Sequence, residues 1–231
     1  MFKLRRILSN RNRLRCIVIS FIILLVVVGL VLQAFRSLYS PYPKAYFFIN
    51  YIYFTTQSNI LVLILLILHF TRFRNTRLFH IFTHIALMNI LMTGVIFHLF
   101  LGPYMELTIV QHLLHTATPL SYLFYYFFIY DRYFTVKYLE TLLIYPTVYT
   151  ILVYTVIEPL VGDTLELVQG DFQGSRFIYP FFDPYYYDFN WFKIILFFLV
   201  IVVFVIVVMM ILTQPIKRYI ERKYNEGNPI G

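Results

Sequence analysis

The sequence predicts an all-α, polytopic membrane protein, a bundle of six transmembrane helices with both termini on the cytoplasmic side. Three observations lead there. Of 231 residues, 60% are hydrophobic and only 13% charged, and the mean hydropathy is +0.74. Ordinary soluble domains are roughly half apolar and a quarter charged. The apolar residues are gathered into six segments, and basic residues cluster between alternate ones. A helix needs about 20 mostly apolar residues to cross the hydrocarbon layer.

The segments run over 17–35, 46–71, 78–101, 106–130, 138–158 and 192–213. They lack the period-2 alternation of barrel strands, so helices are expected. The first follows a basic start (1–16) holding Lys3, Arg5, Arg6, Arg11, Arg13 and Arg15. The apolar run is longer than a signal-peptide core and no small-x-small cleavage site follows, so it reads as a retained signal anchor. Cys16 stands where the two meet. It is the single cysteine, which excludes an internal disulfide. The second and fourth segments carry polar residues in their interiors. The third and fifth hold Asn89, Thr93 and His98, and Tyr145, Tyr149 and Tyr154. The sixth is almost wholly apolar and leads into a polar tail, 214–231.

Orientation follows from the basic residues. With both ends inside, 15 of the 19 Lys and Arg side chains are cytoplasmic and four (Arg36, Lys44, Arg176, Lys193) are external, as the positive-inside rule requires. Glu106, Glu158, Asp163, Glu166, Asp171, Asp183 and Asp188 then fall outside. The net charge of +8 is distributed along membrane flanks, so no nucleic-acid partner is indicated. The long loop 159–191 is external and rich in Tyr and Phe. It reads as an interfacial anchor or as a lid over an outward-facing pocket. No internal repeat suggests an inverted-repeat transporter, and no Walker, dinucleotide or HExxH motif is present. No cofactor or metal is implied.

Polar groups inside a span are costly and point to function unless they serve packing. Five consecutive polar residues, Thr55-Thr56-Gln57-Ser58-Asn59, enter the second segment, with Thr55 and Asn59 on one helix face. The fourth segment carries Gln111-His112-Leu113-Leu114-His115-Thr116-Ala117-Thr118-Pro119. His112 and His115 share a face, as do His115 and Thr118. Two histidines three apart are a weak metal signal without a carboxylate, and a single histidine acting as base is simpler. Pro119 frees the carbonyl of His115 and is expected to kink the helix there. Thr55 and His115 each lie nine residues into their segments, roughly 13 Å deep. A hydroxyl and an imidazole at one depth suit a nucleophile and its base. Asn59, Gln111 or His112 could donate to an oxyanion, and Thr118 and Tyr149 are further candidates for contacting substrate.

Phe54-Thr55-Thr56-Gln57-Ser58-Asn59, His112-Leu113-Leu114-His115 with Pro119, Tyr145-Pro146 with Tyr149, and Tyr179-Pro180-Phe181-Phe182-Asp183 occur in an order that resembles a known family. The chain is similar, over about 45–212, to the six-helix proteins related to the androgen-induced protein and the androgen-dependent TFPI-regulating protein, nearest their bacterial relatives. The animal members are intramembrane hydrolases of fatty acid esters of hydroxy fatty acids that use a threonine and a histidine. The resemblance implies Thr55 and His115 as that dyad, a membrane lipid or acyl chain as substrate, and a bacterial plasma membrane as location. The other reading of the same polar residues is a lipid or small-molecule binder or transporter without chemistry. A third is a subunit of a larger membrane complex.

Overall fold

The structure, a computed structural model, describes residues 12–104, 107–132, 139–170, 174–187, 190–207 and 214–226. Lys3, Arg5, Arg6, Arg11, Glu106, Lys137, Asp171 and Asp188, all used in the charge reading, lie outside the described residues, as does the tail beyond Glu226. All regular structure among the described residues is helical. The helices are α1 (Asn12–Ser37), α2 (Pro43–Ile52), α3 (Phe54–Leu68), α4 (Arg77–Ile96), α5 (Ile109–His112), α6 (Thr118–Phe128), α7 (Leu139–Leu152), α8 (Glu158–Gln169), α9 (Trp191–Val207) and α10 (Gln214–Glu226).

Helix α4 is the centre. It packs on α3, α6, α7 and α9, and Ala86 to Ile90 are buried without interruption. A helix buried all round is apolar all round, and the buried residues of α4 depart from that rule at Thr83, His84, Asn89 and Thr93. Helix α1 lies at the edge, packing on α3 and α6. Its outer face exposes Ile17, Phe21, Leu24, Val28, Val31 and Phe35. So large an apolar surface marks a face suited to contact with lipid or another protein. Two helical stretches, Asn12–Ser37 and Arg77–Leu101, are long and apolar enough to cross a membrane, and the bent pair α2–α3 makes a third if it is one span.

The third, fourth and fifth apolar segments each carry an irregular turn, for a reason written in the chain. Helical turns of the wider π type occupy Phe97–Leu101, Leu113–Ala117 and Val153–Ile157. Each is followed two residues later by a proline, Pro103, Pro119 or Pro159. Proline cannot donate to the carbonyl four back and its ring collides with it. Here the residue before each proline donates five back instead: Gly102 to Phe97 O, Thr118 to Leu113 O, Glu158 to Val153 O. The wider turn thereby absorbs the misfit expected as a kink at Pro119.

Two sequence expectations change. The segment read as 46–71 is not one helix. Tyr53 is extended (ψ 132°), and α2 and α3 meet at 66°. The groups freed by the break find side chains: Tyr149 OH accepts from Phe54 N at 3.0 Å and donates to Ile52 O at 2.9 Å. Gln57 Nε2 donates to Tyr51 O at 3.0 Å. The loop read as 159–191 opens with helix α8, which carries the chain to Gln169.

Candidate functional site

The break at Tyr53 puts Thr55 in the first turn of α3, in the interior rather than at a surface. Thr55 is 7% exposed. The wide turn Leu113–Ala117 puts His115 opposite it, and Thr55 Oγ1 lies 3.2 Å from His115 Nε2. His115 Nδ1 lies 3.0 Å from the carbonyl of Gln111. A carbonyl only accepts, so Nδ1 carries the proton and Nε2 offers its lone pair to the threonine hydroxyl. Phe97, from the preceding wide turn, stacks on the imidazole with ring centres 3.8 Å apart and planes 20° apart. Ring orientation is thus held from two sides. Gly94 permits this approach, since a Cβ there would come 3.1 Å from His115 O.

A third hydroxyl joins them. Tyr179 OH is 3.4 Å from Thr55 Oγ1 and accepts from Thr55 N at 3.4 Å. Tyr179 sits in the segment after α8, beyond a turn at Gly174, whose φ of +88° suits glycine. The segment is fastened at several points. Arg176 pairs with Glu158, Asp163 and Glu166 along α8, and Tyr154 donates to Phe182 O at 2.7 Å. Tyr179 and Phe181 stack 5.1 Å apart. Burial holds the Tyr179 phenol above its ordinary range, partly offset by the bonds with Thr55.

These groups face a cavity of about 400 Å³, within the range of small-molecule sites. Thr55, His115, Tyr149 and Tyr179 lie at its polar end, and Phe54, Ile96, Phe97, Phe182 and Phe198 are among its apolar walls. Its lining residues Ile151, Ile195 and Leu199 are themselves 54%, 64% and 55% exposed. The cavity therefore reaches the flank of the protein where α7 faces α9. Thr93 Oγ1, buried at the wall, has no hydrogen-bond partner among the described residues.

The sequence-predicted residues divide. Thr55, His115 and Tyr149 meet at the cavity, although Tyr149 OH is engaged by both ends of the α2–α3 break. Asn59, Gln111, His112 and Thr118 do not line it. The Asn59 amide donates to Thr55 O at 2.8 Å and Leu114 O at 3.2 Å, so both its hydrogens fasten backbone. Gln111 forms a capping box with Thr108. Thr118 donates to Leu113 O across the wide turn. His112 is exposed, because a π turn takes more residues than an α turn and three steps no longer bring it onto the face of His115. Among the described residues no group of three His, Cys, Asp or Glu could hold a metal ion. The residues without a role assigned from sequence are Tyr179, Phe97 and Thr93. Tyr179 had a signal in its Tyr-Pro-Phe-Phe-Asp motif and Thr93 as a polar residue inside the third segment, and Phe97 had none. Comparison with protein families, curated proteins and solved structures finds no match to this chain.

Proposed function

We propose that this chain is a six-span membrane protein with both termini cytoplasmic, and that it hydrolyses lipid esters, of the fatty acid ester of hydroxy fatty acid type, with Thr55 and His115. The carrying observation is the 3.2 Å approach of Thr55 Oγ1 to His115 Nε2 at the polar end of an apolar cavity. A threonine hydroxyl is a weak nucleophile until a base takes its proton. With Nδ1 held by Gln111 O, Nε2 is that base. Thr55 Oγ1 attacks the ester carbonyl, His115 accepts its proton and returns it to the leaving alkoxide, and water then releases the acyl group. The apolar walls suit a long acyl chain, and the exposed Ile151, Ile195 and Leu199 support its entry from the bilayer between α7 and α9.

The test is ester hydrolysis by purified protein, comparing wild type with Thr55→Ala and His115→Ala. Turnover lost in both supports the dyad, and turnover unchanged in both removes it. Lipid retained without turnover in the wild type would favour the binding or transport reading, which the apolar cavity also suits. For topology, single cysteines at Tyr185 and Arg218 in a Cys16→Ser background separate the two faces. A membrane-impermeant maleimide on intact cells is expected to label position 185 and not 218. The reverse pattern overturns the orientation.

A further inference from the structure

We propose that Tyr179 is a third catalytic residue, whose hydroxyl hydrogen stabilises the oxyanion formed when Thr55 attacks. This rests on the hydrolase reading and adds to it the group that receives the developing charge. Hydrogen bookkeeping identifies the donor. His115 Nδ1–H is engaged by Gln111 O, so the Thr55 hydroxyl hydrogen goes to Nε2. Thr55 Oγ1 can then only accept from Tyr179 OH, 3.4 Å away. Tyr179 in turn accepts from Thr55 N–H, which fixes its oxygen and leaves its one hydrogen directed at the reacting oxygen.

Two other donors beside Thr55 are committed. Tyr149 OH accepts from Phe54 N and donates to Ile52 O. The Asn59 amide is held by two carbonyls. In the attack a bond forms between Oγ1 and the carbonyl carbon. The carbonyl π pair moves to its oxygen, and the Thr55 proton moves to His115 Nε2. Oγ1 becomes an ether-type oxygen, a weaker acceptor than the full negative charge that appears one carbon away. The Tyr179 hydrogen bond passes to that charge without the phenol losing its proton. When the tetrahedral centre collapses, the pair returns to the carbonyl and the alkoxide leaves with the proton from Nε2. Burial, which keeps the phenol protonated, suits a donor of this kind.

The experiment compares wild type, Thr55→Ala and Tyr179→Phe in ester turnover and in binding two probes. One is a long-chain trifluoromethyl ketone, which becomes a tetrahedral oxyanion on Thr55. The other is palmitic acid, which does not. Tyr179→Phe is expected to lower kcat about 100-fold with KM within about twofold. It should weaken the ketone by a similar factor and palmitic acid by less than about twofold. A kcat within about threefold of wild type, or equal weakening of both probes, overturns the assignment. If Tyr179→Phe does not fold, 2,3-difluorotyrosine at 179 keeps the ring and its hydrogen. The alkaline limb of kcat should then move to lower pH, and an unmoved limb overturns the assignment. Turnover that needs Thr55 and His115 but not Tyr179 removes this assignment alone. A wild type without turnover removes the hydrolase reading and this assignment with it.

Discussion

Helices α3 and α4 have a histidine–tyrosine cluster at each end, and the two clusters differ. At one end lie Thr55, His115 and Tyr179. At the other, His69 Nδ1 meets Tyr125 OH at 2.8 Å, His80 Nδ1 meets Tyr130 OH at 3.0 Å, and His84 packs edge-on to Tyr126 and Tyr130. There each phenol has a settled partner, Tyr126 accepting from Gln214 at 2.8 Å. The local aliphatic hydroxyl, Thr83, is bonded to Phe79 O. Lys217 of α10, fully buried, donates to the carbonyls of Tyr126, Tyr130 and Arg132 at 3.1, 2.7 and 2.7 Å and lies over two tyrosine rings. None of these residues lines the cavity. The same residue types thus make a lock at one end and a candidate reaction site at the other. What separates them is empty space beside a hydroxyl that has a base for its proton.

Substitutions at the two ends should have different effects. Thr55→Ala and His115→Ala should each lower ester turnover about 10³-fold or more, measured on purified protein, with folding retained. Lys217→Met should do the opposite. Three carbonyls at the end of α6 lose their donor, and the thermal unfolding midpoint in detergent should fall by the equivalent of about 2 kcal/mol, while turnover at low temperature persists. Gly94→Ala should touch both properties. Its methyl meets His115 O, so turnover should drop about tenfold through displacement of the imidazole, with about 1–2 kcal/mol of stability lost. His69→Phe should cost only about 1 kcal/mol, from the Tyr125 hydroxyl left without its partner, and turnover should hold. A His69→Phe variant as inactive as His115→Ala would erase the distinction between the two ends.

The helical class and the apolar segments were legible because hydropathy is additive along the chain. Thr55 and His115 could be paired only by counted depth and by resemblance, and contact between their helices was not readable. The break at Tyr53 left no mark, since no proline or glycine stands there. It is held instead by Tyr149 and Gln57, residues distant in sequence or otherwise polar without pattern. Asn59 and Thr118 looked like site residues because a polar side chain in a span looks alike whether it faces a cavity or fastens its own backbone. His112 misled for a geometric reason, as face sharing assumed 3.6 residues per turn across a stretch that is wider.

A π turn is in effect a single-residue insertion lodged in a helix. Removing one residue between Leu113 and Ala117 would let the chain close into ordinary α register, and the helix itself would survive. The five-residue turn closes about the same angle as a four-residue α turn, so the helix on either side would keep its orientation and only the side chains within the turn would be re-aimed. The imidazole would then leave Thr55 while remaining buried, and an evolutionary gain or loss of one codon here would act as a switch on aim rather than on stability.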